Sequence, residues 1–175
     1  MTSRPLWLDA ANFAALAHQH ASRKDEQTPY FAHPVRVAMI IAVEFGFTDE
    51  AILAAALLHD TIEDCAVDYD DILERFGEEV AEYVAVVSKD MRMVEPQREQ
   101  SYDRQLAGGS WQGRLIKLAD TYDNLCDSTT KEAKRRQLER ASRAADLAEG
   151  DEQLSQARER LLELMKQVKG ELEGH

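Results

Sequence analysis

The sequence predicts an all-α fold, a multi-helix bundle in a single domain. Three observations lead to this prediction. Apolar residues recur at helical spacing along nearly the whole chain, and no stretch alternates apolar and polar residues as a β-strand does. Residues 51–58 consist only of alanine, isoleucine and leucine, which is typical of a helix buried on nearly every side. No internal repeat or low-complexity linker divides the chain.

The first part of the chain contains three predicted helices. The first covers residues 7–20, which contain few β-branched residues and are predicted to pack through a face of small residues. The second covers residues 35–45, with Pro34 in its first turn, where the missing N–H of proline costs nothing. The third begins after Thr48, whose hydroxyl can cap it, and leads to His59.

The later part shows the same periodicity. Asp68 can cap the next helix, and Gly77 breaks it. Residues 90–100 have no clean periodicity and are predicted to be a loop. The predicted helices here cover residues 68–76, 80–89, 98–107, 111–126 and, in two parts, 131–173.

Length and composition predict one domain over residues 1–175. A chain of 175 residues that is 44% hydrophobic can bury one core of ordinary size. Residues 131–175 are predicted to be divergent amphipathic helices that pack on the rest. Their apolar stripe is assigned to the core rather than to a cofactor. It consists of Leu154, Leu161, Met165 and Val168.

Charge and hydropathy exclude several classes of protein. The formal charge of −12, from 21 basic and 33 acidic residues, argues against a broad basic face for nucleic acid. No apolar run approaches membrane-spanning length, and residues 1–4 lead into no signal-peptide core. Cys65 and Cys126 are too few for a disulfide framework. We therefore expect a cytoplasmic protein without a nucleic-acid or membrane partner; the oligomeric state is open.

Four side chains able to bind a metal or move a proton follow the alanine-rich helix. On a helix His59 and Glu63 lie one turn apart on one face, and so do Asp60 and Asp64. The plain alternative is that these acids face water at a helix end. The apolar stretch before them favours a site, because a buried His-Asp pair is costly unless it is paired or metal-bound.

Two more candidate ligands stand elsewhere in the chain. His33 precedes an apolar helix, and Asp120 lies on an otherwise apolar helix face, where a lone acid requires a partner. If both meet His59 and Asp60, two nitrogens and two oxygens surround one point. That set suits Mn²⁺ or Fe²⁺ and accepts Zn²⁺, Mg²⁺ or other divalent ions. Glu63, not needed as a ligand, could then orient a water or shuttle its proton.

These residues resemble the H…HD…D signature of HD-domain metal-dependent phosphohydrolases. Over residues 17–127 the sequence is similar to the hydrolase domain of RelA/SpoT proteins, and especially to the stand-alone metazoan SpoT homologue. The segments that carry the resemblance are Arg23-Lys24-Asp25, Thr28-Pro29-Tyr30, His33-Pro34, His59-Asp60-Thr61-Ile62-Glu63-Asp64, Phe76-Gly77, Ser88-Lys89, and residues 114–120 (RLIKLAD) with Asn124.

The resemblance implies an all-helical HD-domain enzyme that uses a divalent metal, usually Mn²⁺. Its substrate would be a small nucleotide: it would remove the 3′-pyrophosphate from the alarmone (p)ppGpp, which gives GDP or GTP and pyrophosphate. By motif match the metal ligands would be His33, His59, Asp60 and Asp120, the catalytic acids Glu63 and Asp64, and the nucleotide-binding residues Arg23, Lys24 and Asn124.

The sequence departs from the family pattern near the proposed nucleotide site. Glu26-Gln27 stand where the family commonly has a glycine, and Thr121 and Asp123 replace an Arg and a His of many bacterial members. Two other hypotheses therefore stay open: a phosphatase or phosphodiesterase of another nucleotide such as NADPH, and a non-enzymatic nucleotide-binding HD module. The retained Glu63 argues against the second.

Overall fold

A computed structural model of the chain describes residues 4–174. Residues 1–3 belong to the stretch that was predicted above to lead into no signal-peptide core. These residues and His175 lie outside the described part. Within it the chain forms helices joined by short loops, and the only β-type pairing is an isolated bridge between Ser22 and Pro29. The predicted all-α fold class is confirmed.

The helices follow the predicted order with small shifts at their ends. They are α1 (Leu6–Ala17), α2 (Ala32–Met39, continued by a π-helical turn, Ile40–Glu44), α3 (Glu50–Leu58), α4 (Thr61–Asp64), α5 (Tyr69–Phe76), α6 (Glu78–Val87), α7 (Gln97–Gly108), α8 (Trp111–Cys126), α9 (Lys131–Leu147) and α10 (Ser155–Glu173), with a short 3₁₀ turn, Glu152–Leu154, before the last.

Local signals at the helix ends agree with the sequence in most places. Asp68 caps α5 in a reciprocal capping box with Asp71, as predicted. Pro34 lies in the first turn of α2, also as predicted. The predicted cap of α3 is wrong by one residue: Asp49, not Thr48, accepts the N–H groups of the first turn. A carboxylate there complements the helix dipole better than a hydroxyl does.

Helices α3 and α8 form the centre of the core. α3 contacts α1, α2, α6 and α8. Residues 51–58 are buried except for the partly buried Leu53, which agrees with the prediction of a helix buried on nearly every side. α8 packs against α2, α6, α9 and α10. The predicted stripe of α10 and its preceding turn is buried here. The assignment of residues 131–175 as a divergent part of one domain stays a prediction. None of the helices within residues 4–174 has the length and apolar character that a bilayer crossing requires.

Gly113 sets the close approach of α6 and α8. A Cβ added at this buried glycine would overlap a methyl carbon of Val86 and lie 2.8 Å from the Cβ of Val86. The Cβ of Val86 is attached to the backbone, so the helices themselves would have to move. The register of α8, which carries Asp120, therefore depends on this glycine.

We predict that Gly113→Ala lowers the free energy of unfolding by about 1–3 kcal/mol, because overpacking outweighs the better helix propensity of alanine. Thermal melts followed by circular dichroism measure the effect. Gly108→Ala is the matched control, since no atom lies within 4 Å of its added Cβ. Val86→Ala in the Gly113→Ala background should restore part of the loss; a melting temperature unchanged by Gly113→Ala alone would contradict the packing argument.

Candidate active site

Two helices and one junction between helices bring the candidate ligands to a common point. His33 lies in the first turn of α2, and Asp120 lies in the middle of α8. His59 and Asp60 occupy the junction between α3 and α4. Because α2 packs on both α3 and α8, their side chains meet in the interior although they are far apart in the sequence.

The prediction that the third helix leads to His59 is confirmed: α3 ends at Leu58, and the short α4 begins at Thr61. Asp60 still accepts the backbone N–H of Asp64, so the one-turn relation between these two acids is retained. The break turns the backbone at the point where His59 must enter the core.

The four candidate ligands converge. Nε2 of His33 lies 3.5 Å from Oδ2 of Asp60 and 3.3 Å from Oδ1 of Asp120. Nε2 of His59 lies 3.1 Å from the same Asp60 oxygen and 4.0 Å from Oδ1 of Asp120. The ligand atoms of His33, His59 and Asp60 all lie within 4.8 Å of one another. Two nitrogens and two carboxylates thus face one small volume.

Both imidazoles are fixed so that Nε2 faces this volume. Nδ1 of His59 lies 2.8 Å from the carbonyl oxygen of Ala56, and Nδ1 of His33 lies 2.6 Å from Oδ2 of Asp123. Each Nδ1 must therefore carry a proton and donate it. Nε2 of each ring is then the atom that takes up either a second proton or a metal ion beside the ionised carboxylates.

This arrangement fits a divalent cation. His59 is 3% exposed, and its buried Nε2 has no hydrogen-bond partner within the described residues. A ring nitrogen 3.1 Å from a carboxylate oxygen requires a positive charge there, either a proton on Nε2 or a metal ion. A metal ion supplies that charge, and a nitrogen and oxygen donor set is suited to one.

The pKa values show how strongly the cluster favours positive charge. Burial opposes protonation of His33, but hydrogen bonds to Asp120 and Asp123 outweigh it and raise its pKa to about 9. Burial also penalises the charged form of Asp60, yet the neighbouring His59 holds the pKa of Asp60 down at about 2. The acids therefore stay ionised, and the cation that balances them is either a proton or a metal.

The side chains of Glu63 and Asp64 line the cavity that also contains the four candidate ligands, which we call the metal cavity. Neither side chain forms a hydrogen bond with those ligands. Oε1 of Glu63 accepts the backbone N–H of Lys89 at 2.7 Å, which fixes the carboxylate at the cavity wall. Burial raises the pKa of Glu63, and burial together with Asp60 raises the pKa of Asp64. A raised carboxyl pKa suits a group that exchanges protons near neutral pH.

Asp123 is a site residue that the sequence analysis treated only as a departure. Its carboxylate bonds to His33 and accepts two hydrogen bonds from the Arg36 guanidinium, at 2.6 and 2.9 Å. A signal was present: His33 and Arg36 are three residues apart, as are Asp120 and Asp123, so both members of each pair face the same way. The carboxylate orients the imidazole that would bind a metal.

Tyr30 and Lys117 are two further site residues that were not singled out. The Tyr30 hydroxyl donates to Oδ2 of Asp60 at 2.6 Å. Nζ of Lys117 lies 2.8 Å from Oδ2 of Asp120, and this ion pair raises the pKa of the lysine despite its burial. A lysine on an apolar helix face one turn before an acid was the available signal. Each group fixes one oxygen of a candidate ligand.

The predicted nucleotide-binding residues are divided between two cavities. Arg23 and Asn124 line the metal cavity of about 170 Å³, and the structure also pairs Arg23 with Asp127 at 2.8 Å. Lys24 does not line that cavity; it lines an adjoining one of about 400 Å³, to which Arg23 and Asn124 also contribute. The two cavities therefore form a continuous cleft.

The loop after Lys24 explains one departure from the family pattern. Glu26 adopts φ +59°, a left-handed conformation that glycine adopts without strain. Asp25 holds the loop in place by accepting the backbone N–H groups of Gln27 and Thr28 and the Thr28 hydroxyl. These bonds lower the pKa of Asp25 to about 2. Side-chain bonding by Asp25 thus stabilises a turn that other family members make with glycine.

Comparison with known proteins gives consistent matches. A family model with the description "HD domain" matches residues 10–148. The chain is 43% identical over 123 residues to the guanosine-3′,5′-bis(diphosphate) 3′-pyrophosphohydrolase MESH1 of Xenopus tropicalis, which covers 70% of this chain and 69% of that protein. It is 42% identical over 121 residues to the Homo sapiens protein of the same name, with coverages of 69% and 68%.

A solved structure has a similar fold. It is described as "A metazoan ortholog of SpoT hydrolyzes ppGpp and plays a role in starvation responses" and superposes with a TM-score of 0.83. The two sequences are 30% identical, and the superposition covers 95% of this chain and 97% of the other.

We predict that Asp123→Asn weakens Mn²⁺ binding about 10- to 100-fold, because the neutral amide no longer orients and polarises the His33 imidazole. Isothermal titration calorimetry on metal-stripped protein measures the affinity. Asp127→Asn is the matched control: Asp127 also pairs with Arg36 but does not contact His33. Equal affinities for the two variants would exclude a role of Asp123 in metal binding.

Proposed function

The chain belongs to the HD-domain family, and from that premise we propose that it is a metal-dependent hydrolase of (p)ppGpp. It removes the 3′-pyrophosphate and releases GDP or GTP together with pyrophosphate. One observation carries the proposal: two buried histidines and two acids converge on a point that requires a cation, and a separate, partly buried carboxylate, Glu63, lines the same cavity. The names of the metazoan relatives support the choice of substrate.

The proposed metal ligands are His33, His59, Asp60 and Asp120, and we propose Mn²⁺ as the ion. Fe²⁺, Zn²⁺ and Mg²⁺ are the alternatives for this donor set. When bound, such an ion polarises a phosphoryl oxygen and makes a water easier to deprotonate.

The protein's own carboxylates then move the protons. Glu63, anchored by the Lys89 N–H, orients the attacking water and accepts its proton. The water oxygen bonds to the phosphorus on the ribose 3′-oxygen, and the bond between that phosphorus and the 3′-oxygen breaks. Asp64, whose pKa is raised by burial, returns a proton to the leaving 3′-oxygen. One water is consumed, and a nucleotide with a free 3′-hydroxyl and pyrophosphate are formed.

Basic side chains in the metal cavity offset the charge of the substrate. Lys89, Lys117 and Arg23 line this cavity together with the acids. Lys117 is already paired with Asp120, and Lys89 with Glu99 at 2.8 Å. These pairs keep the cavity close to neutral until a phosphate enters. The electrostatic potential in the cavity therefore differs from the negative potential that the net charge of −12 gives to the chain as a whole.

We also propose that the substrate is a free nucleotide of the cytoplasm rather than a nucleic acid. The acidic surface opposes binding to a polyanion. Both cysteines are free thiols, which suits a reducing compartment.

The test of the function is incubation of Mn²⁺-loaded protein with ppGpp, with separation of products by anion-exchange chromatography. We expect GDP and pyrophosphate in equal amounts. Orthophosphate alone would favour a phosphatase of other nucleotides, for which NADPH is the first comparison substrate. Binding without any product would favour a non-enzymatic module.

For Glu63→Gln we expect kcat to fall about 10²- to 10⁴-fold, since the amide cannot accept a proton from water. The bound Mn²⁺, measured by elemental analysis, should stay at the wild-type stoichiometry because Glu63 is not a proposed ligand. Glu74→Gln, at an exposed position on α5, is the control for the loss of one negative charge. Wild-type kcat in Glu63→Gln would remove Glu63 from the mechanism.

A further inference from the structure

Two side chains of α7 hold the C-terminal end of α6. The last carbonyl groups of a helix have no partner within that helix. At the end of α6, Nε2 of Gln105 lies 2.8 to 3.1 Å from the carbonyl oxygens of residues 85, 86 and 88. The Tyr102 hydroxyl donates to the carbonyl oxygen of Val87 at 3.0 Å. Four consecutive carbonyl groups thus contact α7, which fixes the backbone where α6 ends.

This backbone leads directly to the group that holds Glu63. Lys89, the second residue after α6, donates its N–H to Oε1 of Glu63 at 2.7 Å. The Lys89 side chain also contacts α7, since its Nζ lies 2.8 Å from Oε1 of Glu99 and 5.1 Å from the centre of the Tyr102 ring. Because both the backbone before Lys89 and its side chain contact α7, the direction of the Lys89 N–H depends on this helix.

Tyr102 also contacts the lysine that holds Asp120. Nζ of Lys117 lies 5.4 Å from the centre of the Tyr102 ring and 2.8 Å from Oδ2 of Asp120. An ammonium group at this distance is attracted to the face of an aromatic ring. One aromatic ring therefore contacts two lysines, of which one holds the proposed base and the other holds a candidate metal ligand.

The environment of Tyr102 suits a positioning role better than proton transfer. Its side chain is 5% exposed and lines the metal cavity. Burial raises the pKa of its hydroxyl, which therefore keeps its proton and donates it to the Val87 carbonyl. The hydroxyl thus orients the backbone, and the ring contacts two cations whose partners belong to the site.

We propose that Tyr102 is a positioning residue for hydrolysis, which acts on Glu63 through the Lys89 N–H and on Asp120 through the Lys117 ammonium group. This inference rests on the proposed function. It gives α7 a part in catalysis, because the contacts of one of its side chains fix the position of the proposed base relative to the metal centre.

Two substitutions separate the two contacts. Tyr102→Phe removes only the hydroxyl, so the Val87 carbonyl loses its donor while the ring stays beside both lysines. With ppGpp and saturating Mn²⁺ we expect kcat to fall about tenfold and KM to change less than about twofold, because a misplaced base affects the transition state rather than substrate binding. The Mn²⁺ affinity, measured by isothermal titration calorimetry on metal-stripped protein, should stay at the wild-type value.

Tyr102→Leu removes the ring as well as the hydroxyl. We expect the same fall in kcat and, in addition, Mn²⁺ binding that is about tenfold weaker, because Lys117 no longer holds Asp120 in one orientation. A role in packing alone would not separate kcat from Mn²⁺ affinity in this way.

Tyr83→Phe is the matched control. Tyr83 is also a buried tyrosine with a bonded hydroxyl, which donates to Glu79 and accepts from Gln112, but it does not line the metal cavity. This variant should keep the wild-type kcat and Mn²⁺ affinity. A second control is Tyr102→Phe in the Glu63→Gln background, where we expect no further fall in kcat, since the group that Tyr102 positions can no longer accept a proton. Circular dichroism melts check that each variant is folded.

The outcomes separate the two proposals. If the wild-type protein releases no pyrophosphate from ppGpp, the proposed function fails and the role of Tyr102 fails with it. If the wild-type protein hydrolyses ppGpp but Tyr102→Phe keeps the wild-type kcat, only the role of Tyr102 is overturned. An equal fall in Tyr83→Phe, or the same further fall in the Glu63→Gln background, would also overturn it. Wild-type Mn²⁺ affinity in Tyr102→Leu would overturn the link to Asp120.

Discussion

The cost of burying unbalanced charge is the constraint on which the rest of the site depends. Asp60 and Asp120 remain ionised although they are largely buried, and each histidine beside them turns Nε2 toward these acids. Such a cluster is stable only with a positive charge at its centre. Folding therefore brings together charged groups whose burial costs free energy, and a bound cation would offset that cost. Cation binding and the stability of the core are linked for this reason.

Hydrogen bonds from surrounding residues fix the orientation of the candidate metal ligands. Asp123 orients His33, the Ala56 carbonyl orients His59, and Tyr30 fixes one oxygen of Asp60. These contacts come from helices that meet only in the folded state. Because the imidazoles are oriented before a cation arrives, little conformational entropy is lost on binding. Glu63 is anchored separately, through the backbone N–H of Lys89, and is not one of the candidate ligands.

The distribution of charge reconciles an acidic protein with an anionic substrate. The metal cavity is lined by acids and by lysines and arginines, several of which are paired with these or nearby acids. On α9, Arg140 lines the same cavity and Arg136 lines the adjoining one. A phosphate that enters therefore meets local positive charge although the chain as a whole is acidic.

The sequence by itself determined the helices, most of their ends and the set of candidate ligands, because periodicity, caps and the cost of a lone acid on an apolar face are local properties. It misplaced the cap of α3, because Thr48 and Asp49 are adjacent and both are residue types that can cap a helix. Only the tertiary structure decided that Asp123 contacts His33, that Lys24 lies outside the metal cavity, and that α9 borders the cleft. The physical reason is that these relations depend on how α2, α8 and α9 pack together, and residues distant in the chain fix that packing jointly.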